Sequence, residues 1–236
     1  MDFRDYLEEL DQWKQKVEKI PLAETKIKTA GQVVRSLAAG RLPETVASLQ
    51  FNEDILFDHP ELMDLEDCLT NLRQVAIENF GVWHIFSQKW LDDLAAYTQA
   101  AGKHNLEIMA GNALISAFLP NTRATDNLEW AGQDNEHPHP WTEVENLDAV
   151  LAVEKYYHQV ENIILAWAPD KDETDWKILR FLRDHGWQGK FIVIGEKNGA
   201  TNSAAFWQQA DLQLPQKLNR NHPNLDFIHD QVFLAK

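Results

Sequence analysis

The segment from Leu106 to Asp126 restricts the fold of this chain more than any other part of the sequence. An apolar run that includes Glu107 leads into a turn of small residues, then a short helical run, then a second strand that ends at Asp126. Strand, turn, helix and strand in this order form the opening unit of a doubly wound sheet. We therefore predict an α/β fold with a mostly parallel sheet.

The turn and the end of the second strand have the chemistry of a nucleotide-cofactor site. Ala110 and Gly111 are small, so the backbone at the turn can approach a ligand closely. Asp126 lies 19 residues after Glu107. A carboxylate about 20 residues beyond such a turn accepts hydrogen bonds from the ribose hydroxyls of a nucleotide. Asn127 adjoins the same position, and the spacing predicts a nucleotide site at this edge of the sheet.

Two classes of cofactor use this layout, and the turn distinguishes them. A dinucleotide site favours the pattern G-x-G-x-x-G, because its pyrophosphate rests on the N-terminus of the following helix. This turn has one glycine, Gly111, and Glu107 precedes it. A carboxylate there repels a pyrophosphate but attracts the α-ammonium of an amino-acid group, directly or through water. The turn therefore favours a cofactor that carries an amino acid over NAD.

The pattern Glu107-x-x-Ala110-Gly111-Asn112 resembles motif I of the class I S-adenosylmethionine-dependent methyltransferases, in which an acidic residue is followed by x-G-x-G-x. The resemblance implies a Rossmann-like domain that binds S-adenosylmethionine. It places Glu107 at the methionine end of the cofactor and Asp126 at the ribose. Ala110 and Gly111 would let the backbone approach the cofactor, and Asn112 belongs to the same predicted cofactor-binding set.

Further segments follow in the order that this family requires. The third strand is predicted to end near Asp148 and Ala149, which match the acidic and small pair that the resemblance places at the adenine. Apolar runs at 162–169 and 190–196 are typical of parallel strands buried on both faces. A helical run between them implies a right-handed crossover. Residues 211–234 would supply the last strands, and the resemblance implies that one of them is antiparallel.

The catalytic group is predicted near the end of the fourth strand. Amino-group methyltransferases of this fold often have Asp or Asn before Pro-Pro there, whereas this chain has Ala166-Trp167-Ala168-Pro169-Asp170. Asp170 is the candidate catalytic carboxylate, and the alternative is a charge at the start of the next helix. Trp167 is a candidate aromatic wall against the adenine or the sulfonium, and it is included in the predicted cofactor-binding set.

Several other polar residues have both a functional and a structural interpretation. Glu196 ends the predicted fifth strand at the ligand-binding edge, where it either binds substrate or caps the following turn. His84 lies among apolar residues of a predicted helix, where it is either a general base or a buried core group. His137 and His139 have acids nearby, but the two prolines in that segment favour a structural loop over a zinc site, and we expect no metal.

The N-terminal part of the chain is predicted to be entirely helical. Apolar residues recur at steps of three and four up to Pro21, and helical spacing returns from Leu62 to Ala101, where the last helix is predicted to contain Trp83. Residues 1–103 are thus predicted to form a helical region and residues 104–236 a Rossmann-like cofactor-binding domain. The helical region could cap the carboxyl edge of the sheet and select the substrate.

Composition narrows the classes of substrate. The formal net charge is −15, shared as −7 over residues 1–103 (11 basic, 18 acidic) and −8 over residues 104–236 (11 basic, 19 acidic). A nucleic-acid methyltransferase should have a stripe of Lys and Arg, because nucleic-acid binding depends on neutralised phosphates. Neither half provides one. We therefore predict a small-molecule or protein substrate and no nucleic-acid partner.

The expected location is the cytoplasm. No apolar run reaches the roughly 18 residues of a membrane span, and charged residues interrupt the start of the chain where a signal pattern would lie. The single cysteine, Cys68, cannot form an internal disulfide, which agrees with a reducing compartment. We expect no membrane partner.

The resemblance implies methyl transfer from a sulfonium to a nucleophile held at the sheet edge, with catalysis that comes mainly from positioning. Two alternatives remain open. The first is a non-catalytic module that keeps the fold and binds the cofactor or a protein. The second is an NAD(P)-linked oxidoreductase built on the same β-α-β unit, although its G-x-G-x-x-G pattern is absent from the turn.

Overall fold

A computed structural model describes residues 1–133, 135–199, 201–222 and 224–236 of the protein. The chain divides into two compact units. The first contains Met1–Gln88 and the described residues of 223–227, and the second contains Lys89–His222 and Ile228–Lys236. The domain boundary predicted after residue 103 stays a prediction. The sixth helix, which precedes that position, groups with the sheet.

The first unit consists of helices and their connections. Asp2 caps the first helix, because its carboxylate accepts a hydrogen bond from the Arg4 amide. The first helix ends before Pro21, as expected, and Pro21 is the first residue of the second helix, where the missing N–H costs no hydrogen bond. Across the described residues of this unit, the helices are α1 Phe3–Lys16, α2 Pro21–Ala38, α3 Glu53–Asp58, α4 Leu62–Thr70 and α5 Leu72–Phe80.

The connection from Val82 to Ser87 corrects the predicted helix that was to contain Trp83. Helix α5 ends at Gly81, whose left-handed φ of +61° closes the helix as glycine commonly does. Helix α6 begins only at Gln88 and runs to Thr98. The apolar spacing that suggested a helix arises because Ile85 and other residues of the connection are buried.

A buried ion pair joins two distant parts of the chain within the first unit. The Arg73 guanidinium donates two hydrogen bonds to the Asp226 carboxylate, at 2.6 and 3.1 Å, and a third to the Trp83 carbonyl at 2.7 Å. The side chains of Arg73 and Asp226 are 9% and 1% exposed. The amide of Leu49 also donates to the Leu225 carbonyl at 2.8 Å. These bonds anchor the segment around Asp226 to the helices.

The second unit is an α/β structure built on a mixed sheet. In the described part of the chain, the sheet has seven strands in the order β3-β2-β1-β4-β5-β7-β6. The strands are β1 Asn105–Ile108, β2 Thr122–Asp126, β3 Val144–Asn146, β4 Asn162–Ala166, β5 Lys190–Gly195, β6 Leu212–Gln213 and β7 Gln231–Ala235. The helices after α6 are α7 Leu114–Phe118, α8 Ala149–Tyr156, α9 Thr174–Asp184, α10 Ala204–Gln209 and α11 Gln216–Asn219.

The strand directions confirm the predicted α/β class. β1 pairs in parallel with β2 and β4, β2 with β3, and β4 with β5. β7 lies antiparallel to both β5 and β6. The sheet is therefore mostly parallel with one antiparallel strand near the C-terminus, as predicted. Within the described ranges, no helix combines the length and the apolar character needed to cross a bilayer.

One face of the central strands packs on three of the helices. Apolar residues of β1, β4 and β5 form a single buried cluster with residues of α8, α9 and α10. This cluster includes Leu106, Ile108, Ile163, Leu165, Phe191, Val193, Val153, Ile178, Leu179, Leu182 and Phe206. Burial on this scale explains why β4 and β5 appear in the sequence as continuous apolar runs.

The order of the strands fixes one position at which a ligand can bind. The chain builds β1, β2 and β3 in one direction across the sheet and then crosses to β4 and β5 on the other side of β1. Open α/β sheets bind ligands outside the carboxyl ends of the strands, where the order reverses. In this sheet that point lies between the ends of β1 and β4.

We predict that Arg73→Met destabilises the first unit by about 3–5 kcal/mol, because it leaves the Asp226 carboxylate buried without its charged partner. Urea denaturation of the variant measures this loss. The double variant with Asp226→Asn should recover part of it, since the second change removes the orphaned charge.

Lys103→Met is the matched control, because Lys103 pairs with Glu161 in the second unit at 3.6 Å and the two side chains are 43% and 47% exposed. Exposed pairs contribute little to stability, so this variant should unfold close to the wild type. Equal losses in the Arg73 and Lys103 variants would contradict a structural role for the buried pair.

Candidate functional site

The turn after β1 has an unusual backbone. Met109, Gly111 and Ala113 have φ values of +50°, +54° and +57°, so every second residue of the turn is left-handed. Trp167, the first residue after β4, has a φ of +58°. This conformation costs an L-residue other than glycine roughly 1–2 kcal/mol. Strained backbone residues therefore lie on both sides of the switch point. Such residues often cluster at binding sites.

Asp126 and Gly111, both predicted site residues, are in direct contact. The Gly111 amide donates a hydrogen bond of 2.8 Å to Oδ2 of Asp126. The Ala110 amide donates to the Thr125 carbonyl at 3.0 Å, which extends the pairing of β1 and β2 into the turn. The carboxylate that ends β2 is thus held against the glycine of the turn that follows β1.

The second oxygen of Asp126 also accepts hydrogen bonds from its own chain. Oδ1 accepts from the Leu128 amide at 2.8 Å and from the indole Nε1 of Trp130 at 3.2 Å. Asp126 is 8% exposed and Trp130 is 4% exposed. With Gly111, three N–H donors of the described chain occupy a carboxylate that has about four acceptor positions.

Glu107 lies inside β1 and is 3% exposed. Its Oε2 accepts hydrogen bonds from both the amide, at 2.8 Å, and the hydroxyl of Ser116 in α7. Burial raises the pKa of Glu107 to about 7, against the lowering effect of these two bonds, and the negative charge of Asp126 raises it further. The carboxyl group therefore changes charge near neutral pH.

The two asparagines of the predicted cofactor set are bonded to nearby backbone. The Asn112 carbonyl accepts from the Trp141 amide at 2.8 Å, and its side-chain Oδ1 accepts from the His139 amide at the same distance. These bonds hold the residues before β3 against the turn. Asn127 accepts a bond from the Glu129 amide at 3.1 Å through its side chain, a local turn contact.

Asp148 and Ala149 lie at the start of α8. Asp148 is the N-cap of the helix, and its Oδ1 accepts from the amides of Val150 and Leu151 at 2.9 and 3.3 Å. Ala149 is the first helical residue and is buried. The Leu147 amide donates to the Asp126 carbonyl at 2.9 Å, so this helix start lies beside the end of β2. The predicted contact with adenine stays a prediction.

The ends of β4 and β5 are tied to the segment before β7. The Trp167 amide donates to the Ile194 carbonyl at 2.9 Å, and its indole Nε1 donates to Oδ2 of Asp230 at 2.8 Å. Glu196 accepts from the His229 amide at 2.9 Å through Oε1. Trp167 and Glu196 thus lie at the expected edge, and the Glu196 side chain bonds to the segment before β7.

Asp170 and His84 are the other two catalytic candidates. Asp170 is exposed in the connection before α9, and Asp172 rather than Asp170 accepts the hydrogen bond from the Thr174 amide at the start of that helix. His84 belongs to the first unit, where it is buried in a bend with its ring 5.1 Å from that of Phe86. Their catalytic roles stay predictions.

Sequence reasoning missed a buried polar cluster beside the ends of β4 and β5. Asp175 accepts hydrogen bonds from the amide and hydroxyl of Ser203, at 2.8 and 2.6 Å, and from the side-chain amide of Asn202 at 3.2 Å. The Asn202 backbone amide donates to the Ala168 carbonyl at 2.8 Å. The polar run that starts at Thr201, just after a buried strand, was the available signal.

An open groove lies at the opposite ends of the strands. It is lined by the starts of β1 and β2 and by residues of α7 and α8, among them Arg123 and Tyr156. Glu145 forms ion pairs there with Arg123 at 3.5 Å and with Lys155 at 2.7 Å. None of the predicted site residues lines this groove in the part of the chain that the structure describes.

The fold and the site together define an α/β protein with a strained, acidic turn at the switch point of a mostly parallel sheet. No family model matches the chain, and no curated protein matches it either. The resemblance to class I methyltransferases therefore depends on the sequence motifs alone.

We predict that Glu107→Gln changes the pH dependence of stability. The folded chain keeps the Glu107 proton up to about pH 7, whereas an exposed glutamate releases it near 4.5. Between these two pH values the folded state binds more protons than the unfolded state. The stabilisation that the protonated Glu107 contributes to the free energy of unfolding therefore falls as pH rises and is lost above about pH 7. The difference between wild type and variant should change over this window by on the order of 3 kcal/mol.

Urea denaturation at a series of pH values from 4 to 8 measures this difference. Glutamine keeps an oxygen that can accept from Ser116, so the variant should gain stability relative to the wild type as pH rises. Glu161→Gln is the control, because Glu161 is an exposed carboxylate whose pKa is lowered by hydrogen bonding to the His104 amide. If the difference in the free energy of unfolding between wild type and Glu107→Gln did not change with pH, the raised pKa of Glu107 would be contradicted.

Proposed function

We propose that the protein is a class I S-adenosylmethionine-dependent methyltransferase that binds its cofactor at the carboxyl edge of the sheet and acts on a small molecule or a protein. One observation carries the proposal, the 2.8 Å hydrogen bond from the Gly111 amide to Asp126. It joins the glycine turn after β1 to the carboxylate that ends β2. In Rossmann-like nucleotide sites the glycine turn after the first strand and the carboxylate that ends the second strand lie beside the same ligand, and this bond supports such an arrangement.

The arrangement of the last strands supports the same proposal. β7 lies between β5 and β6 and is antiparallel to both. The resemblance implies a terminal pair of this kind with one antiparallel strand. Strand order and turn chemistry are independent features of the chain, and they favour the same class of protein.

The charge of the turn supports a cationic cofactor over a dinucleotide. Residues 107–113 contain one acid, Glu107, and no Lys or Arg, and Asp126 lies against Gly111. The Asp126 carboxylate, joined by that of Glu107 when Glu107 is ionised, repels a pyrophosphate and attracts an ammonium or a sulfonium. The NAD(P)-linked alternative is the weaker one for this reason.

The site contains the chemical groups that S-adenosylmethionine needs, which are acceptors for its ammonium and ribose hydroxyl groups. Oε1 of Glu107 accepts no hydrogen bond from the described residues and could bind the ammonium group. Asp126 would bind the ribose, and Gly111 leaves room for close approach. When bound, the cofactor supplies an electrophilic methyl group on its sulfonium. Trp167 and Glu196 lie at the neighbouring strand ends, where they could orient an acceptor, and such positioning can supply most of the rate enhancement.

We predict that the purified protein binds S-adenosylmethionine and S-adenosylhomocysteine with micromolar affinity in isothermal calorimetry. Asp126→Asn should weaken this binding at least about tenfold, which corresponds to about 1.4 kcal/mol, because the amide replaces one acceptor oxygen by a donor. Asp184→Asn, an exposed change at the end of α9, should leave the affinity unchanged. Absence of binding by the wild type would contradict the proposal, and binding of NAD alone would favour the oxidoreductase.

A non-catalytic binding module is the second candidate, and the hydrogen bonding of the site favours it. Asp126 and Glu107 both accept bonds from their own chain, and Asp148 caps α8. The candidate catalytic Asp170 is exposed and precedes α9. Transfer of a labelled methyl group to any of a broad panel of acceptors would establish the enzyme. Cofactor binding without transfer would establish the module.

A further inference from the structure

A short segment after β2 covers the carboxylate that the proposed function assigns to the ribose. We call Asn127–Trp130 the Trp130 strap. Its Leu128 amide and Trp130 indole both donate to Oδ1 of Asp126, at 2.8 and 3.2 Å. The Trp130 ring is buried, so this bond is shielded from water. The strap therefore bonds to a group that a nucleotide would use.

The strap and a ribose compete for the same acceptor positions. A ribose donates hydrogen bonds from its two hydroxyls to a carboxylate in this position. Asp126 already accepts from Gly111 on Oδ2 and from the strap on Oδ1. A carboxylate accepts about four bonds in total. Two hydroxyls therefore cannot both bind while all three donors of the described chain stay in place.

The strap is held in a conformation that its backbone disfavours. Leu128 has a φ of +56°, in the left-handed region that a leucine rarely occupies. Its own amide bond to Asp126 stabilises that conformation. A ligand that takes over Oδ1 would remove this bond, and the strap could then relax.

We propose that the Trp130 strap covers the Asp126 carboxylate, and that a nucleoside with a free ribose diol binds by displacing the Trp130 indole from Asp126. This inference rests on the proposed function. It adds a residue, Trp130, whose N–H competes with the ligand and lowers its affinity. Removal of that N–H should therefore tighten binding, whereas loss of a simple packing residue would weaken it.

The test compares Trp130→Phe with Trp207→Phe by isothermal calorimetry against S-adenosylhomocysteine and adenosine. Phenylalanine keeps an aromatic ring but lacks the indole N–H. Trp207 is a matched control in the same unit, because it is 5% exposed and its Nε1 donates to the Thr201 carbonyl at 2.8 Å, away from Asp126. We expect Trp130→Phe to bind both ligands at least threefold more tightly than the wild type, and Trp207→Phe to bind them equally.

The ribose diol is tested with 2′,3′-dideoxyadenosine, which should show no gain in the Trp130 variant. If the wild type binds but Trp130→Phe binds no more tightly, the strap proposal is overturned and the proposed function stands. If neither protein binds either nucleoside, both are overturned. Binding by the variant alone supports both.

A second measurement on the unmodified protein covers the case in which Trp130→Phe does not fold. In protein labelled with ¹⁵N-tryptophan, saturation with S-adenosylhomocysteine should accelerate hydrogen exchange at the Trp130 indole and leave the Trp207 indole unchanged. Unchanged or stronger protection of the Trp130 indole in the complex would overturn displacement. Peak assignment by single tryptophan replacement identifies the two signals.

Discussion

The hydrogen bond from the Gly111 amide to Asp126 is the interaction on which the candidate site depends. It joins the turns that follow β1 and β2, and the left-handed residues Met109 and Ala113 flank the bonded glycine. Glycine adopts the required φ without the steric cost that a Cβ would add. This bond holds the Asp126 carboxylate against the turn, and both the proposed cofactor site and the Trp130 strap depend on the position of that carboxylate.

Two buried carboxyl groups beside this turn define the electrostatics of the site. The negative charge of Asp126 raises the pKa of Glu107. Burial has the larger effect, because desolvation penalises the charged form. Ser116 offsets part of that penalty with two hydrogen bonds. The site as a whole therefore favours a proton or a cation over an anion, which is the selectivity expected for a sulfonium cofactor.

Local patterns in the sequence predicted where the central strands lie along the chain better than they predicted the contacts at the strand ends. Apolar runs marked β4 and β5 because both strands are buried on two faces, and Asp126 marked the end of β2 through its spacing from Glu107. The donors to Asp126 could not be predicted, since they depend on how the residues after β2 turn back. The pairing of Arg73 with Asp226 spans 153 positions, and no local pattern records a partner at that distance. The connection after Gly81 was wrongly predicted to be helical. Its apolar residues are spaced as in a helix, but they are apolar because they are buried.

The Arg73–Asp226 pair also affects when the first unit can fold during translation. N-terminal domains commonly fold while the rest of the chain is still being made. The first unit here includes residues up to Phe227, so its helices emerge from the ribosome long before the carboxylate that neutralises Arg73. Until then the guanidinium has no charged partner in its buried position, which is costly. The helices of the first unit can therefore complete their packing around Arg73 only after Asp226 has been translated.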